Sequence, residues 1–274
     1  MNSADDADLD IIARRIRTAQ DEAAQIDPIT SEFGGFDLAR AYGVAHRIHE
    51  ARLAEGARTV GRKIGFTNYN LWPQYGVDEP IWGYVYDTTV EQALDRRVTY
   101  ELGSFCEPKI EPEVVVHLAK TPVAGDPSEI LGCVDWVAHG FEIVQSHYPG
   151  WSFAAADAVA DSALHGALVV GESVAIDTLG PDPVRALESF SVTLFRDGKK
   201  LEVGKGSNVL GGPLTAAAHL FETLAKQPQY PPLEAGEIIT TGTLTAAYPV
   251  RAGESYSAEF DGIPLPGLTI EIEG

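Results

Sequence analysis

Apolar residues recur along the first 55 positions at the spacing of an α-helix. Leu9, Ile12, Ala13, Ile16 and Ala19 or Ala23 share one face, and acids crowd the start, where the helix dipole favours them. A helix is therefore expected over Asp5 to Ile26, ended by Pro28. Asp37 then caps a second helix carrying Leu38, Tyr42, Ala45, Ile48 and Leu53, with Gly56 as its stop. Past residue 58 the period shortens. Val60 to Phe66, Tyr84 to Val90, Val114 to Leu118, Phe141 to Tyr148 and Ala167 to Val170 read as strands. Ser189 to Phe195 and Leu201 to Val203 flank Asp197-Gly198, a strong hairpin signal, and Gly236 to Leu244 and Tyr256 to Phe260 supply closing strands. Helical pattern is sparse here. Asn68 to Gly76 reads as a short helix or lid-like loop, Glu129 to Ala138 as a short helix, and Pro213 opens a helix with Leu214, Ala217, Leu220, Phe221 and Leu224 on one face. Val77 to Gly83 reads as a turn and Asp95 to Thr99 as a polar connection. Many short strands without a βα alternation predict an α+β fold: a helical lead-in over 1–58, packed on a β-rich catalytic core over 59–274.

Three charged features interrupt this apolar pattern. Glu111 and Glu113 lead into the Val114–Leu118 run, two residues apart, so they share a strand face about 6.6 Å apart. At an effective dielectric of ~20 they repel by roughly 2.5 kcal/mol, which calls for water, a Lys/Arg partner or a divalent cation. Two readings stand: the solvated face of an edge strand, which Pro112 suits, or the opening of a metal site. Glu142 lies inside an apolar run, where an acid without a partner costs several kcal/mol or loses its charge, making it the natural third ligand. Lys63 shares its strand face with Gly61 and Gly65, so its surroundings are bare, and it is either an exposed strand lysine or one that something approaches closely. Other features read more plainly. His46 and His49, three apart on the second helix, suit packing better than metal, and Asp157 and Asp161 suit caps. Gly204-Lys205-Gly206-Ser207 lacks the residue order of a phosphate loop.

Charge and composition narrow the partners. The 274 residues carry a net charge of −20, which excludes nucleic acid and anionic membrane as expected partners. No apolar run approaches the ~20 residues of a membrane helix, and the N-terminus lacks a signal pattern. Two cysteines, Cys106 and Cys133, do not make a disulfide framework, so a soluble, reducing, cytoplasmic setting is expected.

Taken in order, a series of stretches resembles the fumarylacetoacetate hydrolase superfamily. They are Lys63-Ile64-Gly65-Phe66-Thr67, Gly76-Val77-x-x-Pro80-x-x-Gly83, Pro108-Lys109-x-Glu111-x-Glu113, Phe141-Glu142-Ile143-Val144-x-Ser146, Val159-Ala160-Asp161, Gly211-x-Pro213-Leu214 and Ala235-Gly236-x-Ile238-Ile239-x-Thr241-Gly242. The resemblance is nearer still to its branch of 2-keto-4-pentenoate hydratases and 4-oxalocrotonate decarboxylases, and runs over about residues 37 to 272. It implies a mixed β-roll or barrel-like core with N-terminal helices, and Mg²⁺ or Mn²⁺ held by Glu111, Glu113 and Glu142. A small 2-oxo acid substrate would chelate that ion, with Lys63 as anion contact and proton-transfer partner, tuned near neutrality by desolvation. The polarised 2-oxo group would favour an enolate, shared by water addition to a dienoate and loss of a vinylogous carboxylate. Ile81, Trp82, Gly242 and Thr243 are expected against the substrate. Such enzymes form homo-oligomers and associate with a pathway partner enzyme.

The chain departs from the hydratase pattern at Ile81, where hydratases carry an acid and decarboxylases tend to carry isoleucine; Thr245-Ala246-Ala247 also resembles the decarboxylases. Gln145 and His147 replace the usual Asp and Arg, Ser162 an Asn, and Gly212 a His. His147 or His165 is then the candidate for the missing proton-transfer group. The expected function is a divalent-metal-dependent lyase of hydratase or decarboxylase type in aromatic catabolism. A carbon–carbon hydrolase of acylpyruvate type and a non-catalytic partner subunit are the alternatives.

Overall fold

The structure, a computed structural model, describes residues 3–69, 72–75, 77–93 and 95–274. Gly76, Asn70 and Leu71, parts of the expected lid-like stretch and of the Gly-Val motif, lie outside the described residues. Helices α1 (Ser3–Glu22), α2 (Ile29–Glu32) and α3 (Leu38–Ala54) come first. Leu9, Ile12, Ala13, Ile16 and Ala19 of α1 are all buried, and Asp37 caps α3 by accepting the Arg40 N–H. Next come β1 (Thr59–Gly65), α4 (Trp72–Tyr75), β2 (Ile81–Tyr86), β3 (Val90–Gln92), β4 (Arg97–Glu101) and β5 (Lys109–Leu118). They are followed by α5 (Pro127–Cys133), β6 (Val134–Val144), α6 (Ala155–Ala160), β7 (His165–Ala175), α7 (Pro183–Ser189), β8 (Ser191–Arg196) and β9 (Lys199–Lys205). The chain ends with α8 (Pro213–Ala225), β10 (Ile238–Thr240), β11 (Tyr248–Pro249), β12 (Ser255–Asp261) and β13 (Thr269–Glu273).

Two sheets result. The larger runs β2-β1-β10-β5-β6-β7-β3, with β11 also pairing β5, and curls into a half-barrel. The smaller runs β4-β13-β12-β8-β9. This is the α+β, β-rich architecture that the periodicity predicts. Three local expectations are corrected. Ile81 to Gly83 is strand rather than turn, because β2 begins immediately after Pro80. The helix expected over Glu129 to Ala138 stops at Cys133, and Val134 to Ala138 already belongs to β6, whose full length pairs with β5. Arg97 to Glu101 is a strand because it adds in parallel to β13, a partner far along the chain.

The concave face of the larger sheet is set by register. Glu111 pairs with Glu142, Glu113 with Gly140 and Val115 with Ala138, so all these positions face the half-barrel interior. Val115, Ala138, Leu168, Val170 and Ile238 form an apolar plug there, behind the acids. On β1, Gly61 aligns with Ile238 and Lys63 with Thr240 in a parallel pair. A Cβ at Gly61 would stand 1.9 Å from the Ile238 carbonyl oxygen, so only glycine lets these backbones close on each other.

Pro112 sits in a central strand, not an edge. Its carbonyl accepts the Leu244 N–H on the flank where β5 has passed the end of β10 and not yet met β11. The missing proline N–H therefore falls where no ladder partner exists, and the 241–247 segment crosses that gap.

On the opposite face of β6, His139 is fully buried between Phe141 and Phe260, and neither ring nitrogen has a hydrogen-bond partner among the described residues. Burial pushes its pKa down to about 3, and burial, Arg62 and His46 push that of His49 down to about 4. The unfolded chain therefore binds more protons than the native one below about pH 6.5, so stability is full above that value and falls as pH drops towards those folded values. Each histidine contributes about 1.4 kcal/mol per pH unit in that window. His139→Phe is expected to remove one proton from the slope of unfolding free energy against pH between 6.5 and 4, measured by urea denaturation. Unchanged slopes would refute this.

Candidate active site

Glu111, Glu113 and Glu142 each place a carboxylate oxygen within 4.8 Å of the others. Two strands make this possible: β5 repeats its acids every second residue, and β6 sets Glu142 directly across from Glu111. Glu142 is fully buried; its Oε1 accepts from Lys63 Nζ at 2.8 Å and from His165 Nδ1 at 2.7 Å. Its Oε2 is buried without a hydrogen-bond partner among the described residues. Glu113 Oε2 accepts the Gly242 N–H at 2.9 Å. Gly242 has φ +98 and packs so close to Thr67 that a Cβ would lie 1.9 Å from its hydroxyl, so no other residue could present that N–H here.

The electrostatics follow from burial. Desolvation, then Glu142, pushes the Glu111 carboxyl up to about 7. The same two causes, with Glu111 added, raise Glu113 well above the usual range. Glu142 goes the other way: burial raises it, but Lys63 and His165 together hold it down to about 2. Burial likewise lowers Lys63, yet the three glutamates outweigh this and raise it above its ordinary value. In the ion-free site the acids thus favour the charged ammonium, the opposite direction from a lysine tuned near neutrality. Three converging carboxylates, two of them buried and Glu111 at the cavity side, with one oxygen unpartnered, are the donor set a Mg²⁺-class ion requires.

A cavity of about 390 Å³ opens beside these groups. Lys63, Glu111, Glu113, Ile81, Gly242 and Thr243 line it. Trp82 does not. It neighbours Ile81 on β2, so the period of two turns it to the other face, where it stacks on Tyr42 at 5.2 Å and donates its indole N–H to Gln227. His46 and His49 belong to the same aromatic layer: His49 stacks on Tyr84 at 3.6 Å between ring centres and meets the Tyr86 hydroxyl at 3.0 Å.

The two candidate histidines also stand back from the cavity. His165 lies behind Glu142, with its Nε2 2.9 Å from Thr89 Oγ1, and holds the carboxylate in place. His147 is buried, and its Nδ1 lies 2.8 Å from Asp161, which also accepts from Gln20 of α1. Asp161 precedes three non-glycine residues in the left-handed region: Ser162 (φ 53), Ala163 (φ 53) and Leu164 (φ 63). Each such residue costs about 1–2 kcal/mol. Ala163 and Leu164 form cavity wall, so the His147–Asp161 pair shapes that wall. Asp157 caps α6 by accepting the Ala154 N–H, as expected, and also binds Thr30; Asp161 is more than a cap.

Sequence reasoning passed over Lys109, Trp151, Phe153, Asn208 and Glu202, all of which line the cavity. For Lys109 the signal was present, since it shares the period-two face of Glu111 and Glu113. Lys205 follows the ordinary reading: it is strand and exposed, not a phosphate loop.

Residues 82–268 match the family model described as fumarylacetoacetate (FAA) hydrolase, C-terminal. The chain is 31% identical over 266 residues to a 2-keto-4-pentenoate hydratase of Burkholderia vietnamiensis (strain G4 / LMG 22486), covering 95% of this chain and 96% of that protein. It is 29% identical over 261 residues to a 4-oxalocrotonate decarboxylase of Pseudomonas putida, covering 92% of each. The solved structure of 4-oxalocrotonate decarboxylase from Pseudomonas putida G7, complexed with magnesium and adipate, superposes with a TM-score of 0.87 at 27% identity over 97% of each chain. No helix among the described residues is long and apolar enough to cross a membrane. With a matching family model over most of its length, three converging acids and these relatives, the chain belongs to the fumarylacetoacetate hydrolase family.

Proposed function

We propose that this chain is a divalent-metal-dependent lyase that hydrates or decarboxylates a short 2-oxo or 2-hydroxydienoate acid, with residues 1–58 as a helical lead-in to the catalytic core. The observation that carries the reading is the convergence of Glu111, Glu113 and Glu142, with Glu142 Oε2 buried and unpartnered among the described residues, beside Lys63 and a cavity of about 390 Å³. These three glutamates would hold Mg²⁺ or Mn²⁺, which when bound supplies a Lewis acid that draws electrons from a 2-oxo group. Lys63 Nζ, kept charged by the acids, is a donor for the anionic end of the substrate and a proton source at that end. His165 orients Glu142 through its Nδ1. Gly242 fixes Glu113, and Thr243 offers the cavity a hydroxyl.

Ile81 favours carbon dioxide loss over water addition, because it makes that stretch of cavity wall apolar. Among the described residues no histidine lines the cavity, which weighs against a hydrolase that activates water. Buried acids without catalytic use would be a standing cost, which weighs against a non-catalytic subunit. We further read the protein as a cytoplasmic homo-oligomer.

The test is incubation with Mg²⁺ and a panel of 2-hydroxydienoates and 4-oxalocrotonate-type acids. Release of carbon dioxide is expected; labelled water incorporated at the distal carbon would instead mark hydration. Neither reaction, together with cleavage of an acylpyruvate, would replace the lyase reading by hydrolysis.

A further inference from the structure

We infer that Asn208, just past β9, is a positioning residue for the acid cluster: through it the smaller sheet, which carries none of the three glutamates, sets the place of Glu113. The inference rests on the lyase reading, in which Glu113 is a metal ligand. Residues 241–247 cross from β10 to β11 as a strap bonded along both flanks. One flank faces β5. There the Thr241 hydroxyl donates to the Val114 carbonyl at 2.8 Å, the Gly242 N–H to Glu113 Oε2 at 2.9 Å, and the Leu244 N–H to the Pro112 carbonyl at 2.9 Å. The other flank faces β9 and the turn after it. There Asn208 Nδ2 donates to the Leu244 carbonyl at 2.8 Å, and Glu202 Oε2 accepts from the Ala246 N–H at 3.0 Å and the Tyr248 hydroxyl at 2.9 Å.

The two flanks meet at Leu244, whose N–H goes to β5 and whose carbonyl goes to Asn208. A carbonyl only accepts, so position 208 must supply a donor. The strap also lies hard against β9: a Cβ at Gly204 would stand 2.1 Å from the Leu244 carbonyl oxygen. The turn after β9 holds the strap a second way. The Leu210 N–H donates to the Thr67 carbonyl at 2.9 Å, and Thr67 is the residue against which Gly242 packs. Leu210 has φ 53, a strained left-handed conformation that persists only where its surroundings over-determine it. Residues 208 and 210 thus fix Gly242 from two directions, and with it the N–H that Glu113 accepts. Groups that orient a metal ligand in this way set its affinity for the ion without touching it.

Titration of the metal-free full chain with Mn²⁺, the free ion read by electron paramagnetic resonance, tests this without turnover. Asn208→Leu keeps the bulk and loses the donor. It is expected to weaken Mn²⁺ binding about tenfold or more, the usual loss when a partner of a metal ligand is removed. Amide hydrogen exchange across 241–247 is expected to quicken in this variant while that of α1 stays as in wild type. In a Glu113→Gln background the same substitution is expected to cost nothing further, because its effect passes through that carboxylate. Asn208→Ser, too short to reach Leu244, is expected to behave as the leucine variant does, and carries the test should the latter not fold. Wild-type Mn²⁺ affinity in a folded Asn208 variant, unchanged exchange in the strap, or losses that add in the double variant overturn the assignment of Asn208 alone. Failure of wild type to bind Mn²⁺, or unaltered binding in Glu113→Gln, overturns the metal reading with it.

Discussion

Glu142→Gln is expected to lower Mg²⁺-dependent kcat/KM by at least about a thousandfold, the several kcal/mol a Lewis-acid centre supplies. It is also expected to destabilise the protein. Glu142 is the one acid of the three that buried Lys63 and His165 touch directly. A carboxamide leaves the Lys63 ammonium without its counter-charge, and breaking a buried pair from one side costs about 3–5 kcal/mol. Glu111→Gln should behave differently. Burial and Glu142 already disfavour charge on Glu111, so neutralising it should cost the ion-free protein nothing or stabilise it, while still removing turnover. Activity against Mg²⁺ concentration, with urea denaturation in chelator, separates the two variants. Equal stability loss in both would sink the argument that Glu142 alone is the structural acid.

Lys63→Met is expected to cost about 10²–10⁴-fold in kcat, the range for loss of a positioned proton donor. Its stability should depend on metal. In chelator the variant removes the cation that touches fully buried Glu142, and it should melt well below wild type. Mg²⁺ should narrow that gap, because a divalent ion supplies the missing positive charge. Thermal melts of both proteins with and without Mg²⁺ check this; a gap unaffected by Mg²⁺ would place the ion elsewhere than beside Lys63.

Local physics made much of this legible beforehand. Amphipathic spacing marks α1 and α3, Asp197-Gly198 marks the β8–β9 turn, and the two-residue spacing of Glu111 and Glu113 puts both on one face. What stayed hidden is non-local. Nothing in residues 59–65 announces a parallel pairing with Ile238 to Thr240, which carries Lys63 to the acids. Trp82 is an error that the period of two could have prevented, since a residue next to cavity-lining Ile81 must face away. His147 departs from the family pattern, which suggests chemistry, yet its Nδ1 meets Asp161 and the residue does not line the cavity. Pro112 suggested an edge because a gap between β10 and β11 in the middle of a sheet cannot be foreseen from one strand.

The apolar plug of Val115, Ala138, Leu168, Val170 and Ile238 carries a consequence for traffic. Among the described residues this plug closes the half-barrel behind its acids. Whatever arrives and whatever is made must use the same threshold, so a spent molecule has to leave before a fresh one can dock, and one that lingers will act as a competitor for newcomers.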